Sequence, residues 1–193
     1  AVTAGATAAT RLLLNAGASV GVIDPVSFGN AAHCAARCPD PECSVVVIEA
    51  ITEASNSNST VNGNTDKNPN TLNQRDQDGR TPLEIAFARR VEGKKTKADY
   101  GVPGNGITDS YIDGGLYRVT RALLDAGASS NVVFRNGASP LACAVARGDE
   151  SLTALLLERG ADPERGGEET IGKKLASPAL VAIRTANAGV LSM

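Results

Sequence analysis

Four side chains with metal or redox chemistry fall within eleven residues of one another: His33, Cys34, Cys38 and Cys43. Zinc takes four such donors in a tetrahedron. The spacing is poor for it, because His33 and Cys34 are adjacent, and neighbours on a helix point about 100° apart. The competing reading makes His33 a hydrogen-bonding group for turn backbone and Cys34 a small apolar residue. Cys38 and Cys43 flank Pro39-Asp40-Pro41-Glu42 and can approach each other, although a reducing compartment disfavours a disulfide. Cys143 reads as core. The chain has one histidine, so nucleophilic catalysis by a Ser or Cys with an imidazole base has no second candidate to draw on. Carboxylate neighbours such as Glu168-Glu169 and Asp76/Asp78 lie in turns, without the apolar pocket that separates a general acid from a general base. Neither phosphate-binding glycine pattern occurs, and Gly101-Val102-Pro103-Gly104-Asn105-Gly106 reads as an insertion. The reading is therefore no catalytic residue, no metal and no cofactor. Asn58-Ser59-Thr60 fits a glycosylation acceptor but says little without a secretion signal.

What the remaining residues do depends on the elements that carry them, and these repeat. Leu123-Leu124-Asp125-Ala126-Gly127-Ala128-Ser129 returns 33 residues later as Leu156-Leu157-Glu158-Arg159-Gly160-Ala161-Asp162. An earlier copy is Leu13-Leu14-Asn15-Ala16-Gly17-Ala18-Ser19, and each copy has a glycine 12 residues before its last one: Gly5, Gly115 and Gly148. Gly79-Arg80-Thr81-Pro82-Leu83-Glu84-Ile85-Ala86 matches Gly137-Ala138-Ser139-Pro140-Leu141-Ala142-Cys143-Ala144, with Ser177-Pro178-Ala179-Leu180 a weaker third. Thr81 and Ser139 suit N-caps, with proline following at N1 where no N–H is needed. Gly17, Gly127 and Gly160 stand where a helix ends in a positive φ. A pair of short helices cannot bury both faces alone, so neighbouring units must supply the core. That suits a composition with 3% aromatic residues and no Trp.

Order and spacing together resemble the ankyrin repeat: a turn, an inner helix opened by Thr-Pro-Leu-His, a second helix ending in Leu-Leu, then Gly-Ala-Asp. The resemblance implies an all-α solenoid of helix-turn-helix units with hairpin-like loops and two insertions. The expected organisation is a single domain over 1–193. It holds a partial repeat 1–24, a repeat 25–75 with a low-complexity insertion 55–71, and a repeat 76–133 with an insertion 91–114. A repeat 134–166 and a partial repeat 167–193 complete it. One or two further residues are inserted near Ser27–Gly29. Helices are expected at 6–16, 30–37, 44–53, 81–90, 116–126, 139–147, 149–159 and 177–186. Both ends read as cut, and the chain is expected to be a monomeric fragment of a longer one.

The resemblance implies a non-catalytic protein-binding module, a scaffold of the cytoplasm or nucleus. Nineteen basic and twenty-one acidic residues leave a net charge of −2, against the whole-domain footprint of a nucleic-acid binder. No apolar run approaches membrane-spanning length. Counted from the inner-helix starts, Arg37, Arg89, Arg147 and Arg184 fall at similar depth, on the face that lines the groove in this family. Gln77, Asp78, Arg80, Phe134, Arg135 and Asn136 fall on hairpin tips, with Phe134 as an exposed aromatic anchor. A guanidinium row suits an acidic or phosphorylated partner segment. Alternatively, the arginines merely complement helix dipoles. Other readings are a substrate-recruiting part of a larger enzyme, a chromatin or transcription factor using Lys94, Lys95 and Lys97, or a spacer.

Overall fold

The computed structural model describes residues 6–56, 71–88, 110–165 and 177–179. Among them the chain is all-α: α1 (Thr7–Asn15), α2 (Ala31–Arg37), α3 (Pro41–Asn56), α4 (Pro82–Ala88), α5 (Ser110–Asp125), α6 (Pro140–Arg147) and α7 (Glu150–Glu158). The low-complexity insertion and the Lys94–Lys97 run lie outside the described residues. So does all but the start of the expected last helix, where residues 178–179 are helical. Two helices are longer than their periodicity suggested. Proline at N1 starts α3 at Pro41 rather than 44, and α5 begins at Ser110 rather than 116.

Local chemistry sets the ends. Ser139 Oγ accepts the Ala142 N–H at 3.1 Å and Thr81 Oγ1 the Glu84 N–H at 3.2 Å, each ahead of a proline that needs no partner. Asp149 caps α7 through the Leu152 N–H at 2.9 Å. Asn30 opens α2 with a reciprocal box: its side chain accepts the His33 N–H while the His33 ring accepts the Asn30 N–H. Helices α1, α5 and α7 end at Gly17, Gly127 and Gly160, all with positive φ, where a side chain would meet its own backbone.

Packing divides the chain into two compact units, Ala1–Arg89 with Arg118–Ser129, and Arg90–Tyr117 with Ser130–Met193. In the first unit α2 packs on both α3 and α4, and α1 packs on α3. Small residues allow the close approach: Ala32, Ala35 and Ala36 are fully buried, and Val47, Ile48, Leu83 and Leu123 fill the space between helices. In the second unit α6 packs on α7, burying Leu141, Ala144, Val145, Leu152, Leu155 and Leu156. At about 0.8 kcal/mol per buried methylene, these aliphatic layers do the work that aromatic rings do in other cores.

Two asparagines clamp successive loops. In the first unit Asn73 Oδ1 accepts the Ser129 N–H at 2.8 Å and its amide donates to the Gly127 carbonyl at 3.5 Å. In the second, Asn131 accepts the Asp162 N–H and donates to the Gly160 carbonyl, both at 2.8 Å. Each amide thereby satisfies backbone groups that the helix-ending glycine leaves open.

Candidate functional site

Among the described residues, three hairpin-like tips carry the residues that sequence placed on loops. Tip 2 spans 76–80: the Asp76 N–H donates to the Arg80 carbonyl at 2.9 Å, and Asp76 Oδ1 accepts the N–H groups of Asp78 and Arg80. Tip 3 spans 134–138 with the same closure, Phe134 N–H to Ala138 carbonyl at 2.9 Å. Tip 1 spans 24–29 and closes through the Asp24 N–H on the Gly29 carbonyl at 2.8 Å, one residue longer than the other two. The extra residue sits where the spacing placed one, near Ser27–Gly29. Within the first unit the Gln77 N–H donates to the Ser27 carbonyl at 2.9 Å, tying tip 2 to tip 1.

The expected contacting residues fare differently. Gln77 and Asp78 are exposed on tip 2, and Arg80 is half-buried with its guanidinium 3.6 Å from the Asp78 carboxylate. Arg135 and Asn136 are exposed on tip 3, although the Asn136 side chain turns back to accept the Ala138 N–H at 3.0 Å. Arg147 is exposed in the last turn of α6. Arg89 and Arg184 lie outside the described residues. Arg37 is already engaged: its Nη2 donates to Asp76 Oδ2 at 2.7 Å, and that carboxylate side chain is 1% exposed. The pair fixes the end of α2 to tip 2, so this guanidinium is part of the scaffold as much as of any binding face.

Phe134 corrects the reading most clearly. Expected as an exposed anchor, it is 5% exposed, buried like Asp76 at the first position of tip 2 and unlike the exposed Asp24 that opens tip 1. Among the described residues, an exposed aromatic is Phe28 on tip 1, at 57%, with the exposed Val26 on the same tip. Phe28 also has a φ of 51°, the conformation that Gly79 and Gly137 take on the other tips. A bulky side chain there is strained by about 1 kcal/mol or more. The sequence signal was present: tips 2 and 3 have glycine one residue before their last position, and tip 1 has Phe28.

His33 is fully buried and acts as turn backbone's partner. Its Nδ1 lies 3.2 Å from the Asn30 N and 2.8 Å from Asn30 Oδ1, and its Nε2 faces the Arg80 carbonyl at 3.2 Å. Burial holds the imidazole below its ordinary pKa, against the opposing pull of the Arg80 carbonyl and Asp76. Both ring nitrogens are thus used within the fold. All four cysteines are thiols. Among the described residues, no three His, Cys, Asp or Glu side chains converge on a common point.

Residues 136–166 match the family model for the ankyrin repeat. The matched stretch takes in most of tip 3 with α6, α7 and the Gly160 turn, so this part of the chain is an ankyrin repeat, a protein-interaction unit. The same cap, proline and tip closure recur at Thr81, Pro82 and tip 2. No curated protein matches the chain. No helix among the described residues is long and apolar enough to cross a membrane.

Proposed function

We propose that the chain is a non-catalytic protein-interaction module whose tips and inner-helix ends take an acidic or phosphorylated segment of a partner protein. One observation carries the reading. In the second unit, Arg135 and Arg147 are exposed residues on tip 3 and in the last turn of α6, in a chain of net negative charge. Arginine offers the bidentate donors that carboxylate and phosphate accept, and a pre-ordered surface loses little conformational entropy on binding. In the first unit, Arg80, Gln77 and Asp78 supply polar contacts, Arg37 contributes the donors that Asp76 leaves, and Phe28 takes the aromatic role expected of Phe134. Arg89 and Arg184 belong to the same proposal on sequence grounds.

The test is titration of the chain with acidic peptides, phosphorylated and unphosphorylated. Arg135→Glu/Arg147→Glu should lower affinity at least about ten-fold while helical circular dichroism stays unchanged, since each lost charge-assisted bond costs about 1.5–3 kcal/mol. Affinity unaltered by the double reversal would remove the proposal.

A further inference from the structure

Cys38 and Cys43 are both fully buried, Cys38 at the end of α2 and Cys43 in the first turn of α3. Burial, joined by charge and hydrogen bonding from the neighbouring Cys43 thiol, pushes the Cys38 thiol up. Four residues, Pro39, Asp40, Pro41 and Glu42, join the two cysteines, so their thiols stand at either end of the short turn that links an inner helix to its outer one. Over this turn lies α1. Thr7 Oγ1 donates to the Asp40 carboxylate at 2.5 Å, and Thr10 Oγ1 lies 3.5 Å from Cys43 Sγ. Those two threonines do much of the holding. Thr10 is the one buried residue of α1, no side chain caps the helix N-terminus, and Leu12 and Leu13 are exposed. A helix so lightly anchored is the kind that opens locally.

We propose that Cys38 and Cys43 form a closable dithiol shielded by α1, which a low-molecular-weight disulfide such as oxidised glutathione converts to an intramolecular disulfide when α1 opens. One cysteine thiolate attacks oxidised glutathione, forming a mixed disulfide and expelling one glutathione thiolate. The second cysteine thiolate then attacks the protein sulfur of that mixed disulfide, closing the Cys38–Cys43 bond and expelling the other glutathione. The two protons lost by the protein end on the two glutathione thiols, and the dithiol is oxidised as glutathione disulfide is reduced. While α1 is in place the reaction is slow, because burial both excludes the reagent and pushes the Cys38 thiol up from its ordinary pKa, depleting thiolate. Cys34 and Cys143 are half-buried thiols.

The experiment incubates the 193-residue chain with oxidised glutathione, alkylates remaining thiols and maps tryptic peptides. The peptide from Cys38 to Lys67 should become about 2 Da lighter and refuse alkylation, while Cys34 and Cys143 remain alkylatable. Glutathione adducts alone, or bonds to Cys34 or Cys143, would overturn the assignment. Thr7→Val/Thr10→Val should speed closure at least about five-fold by loosening α1, and an unchanged rate would overturn the shielding role. Should that variant lose its helical signal, the wild-type chain gives the same decision. Closure should then accelerate in mild urea in step with amide exchange of α1, and a rate indifferent to that exchange would overturn it.

Discussion

Both ring nitrogens of His33 are occupied by backbone groups from separate turns, and the price of that arrangement is a pH dependence. Its folded-state pKa lies below the unfolded value of about 6.5, chiefly through burial. As pH falls the unfolded chain takes up the proton first. The stability His33 contributes is therefore full above about pH 6.5 and declines as pH drops below it, by at most about 1.4 kcal/mol per pH unit. Arg37 works with burial in this sense, while Asp76 and the Arg80 carbonyl work against it. Urea midpoints measured from pH 7.5 to 5 should fall for the wild type and stay flat over that window for His33→Gln, which starts lower at pH 7.5. The one histidine was legible as a backbone partner from its place in the inner helix. Its second contact, on the carbonyl of Arg80 in the following tip, was not, since 47 residues of chain separate them.

At the scale of elements, caps and stops were readable because they are local. A hydroxyl before proline and a glycine after Leu-Leu act within a few residues, whatever surrounds them. The clamps of Asn73 and Asn131 escaped notice, although both stand three residues before a tip and so could have been found as a shared offset. Their partners lie 54 to 56 and 29 to 31 residues away, and the first pair is separated by an insertion that hides the register. Asn131→Ala should cost about 1–2 kcal/mol, since it deprives the Asp162 N–H and the Gly160 carbonyl of their partners at once. Chemical denaturation checks the value. Asn131→Asp should lose less than Ala, because it keeps the acceptor and forfeits only the donor.

At the scale of the whole molecule, identical motifs meet different surroundings. Leu13, Leu123 and Leu156 hold the same place before the helix-ending glycine, yet Leu13 is 54% exposed while Leu123 and Leu156 are fully buried. Leu156 is covered within its unit by the packing of α6 on α7, whereas α1 packs on α3 and turns Leu12 and Leu13 to solvent. Leu156→Ala should therefore destabilise by about 2–5 kcal/mol and Leu13→Ala by less than about 1 kcal/mol, measured by urea unfolding. Equal costs would mean that position in the motif, rather than burial, governs stability.

The amino-acid order alone determined the caps at Thr81 and Ser139, the glycine stops, the recurring helix pairs and the extra residue in tip 1, though not the early starts of α3 and α5. What it determined follows from steric and hydrogen-bonding rules acting over a few neighbouring residues. Only the tertiary structure decided that Phe134 is buried while Phe28 stays out, that Arg37 is claimed by Asp76, and that Cys38 and Cys43 are both buried, with α1 against Cys43. Those outcomes depend on which distant segments come to lie against a side chain, and burial and charge pairing are properties of that assembled neighbourhood rather than of any stretch of chain.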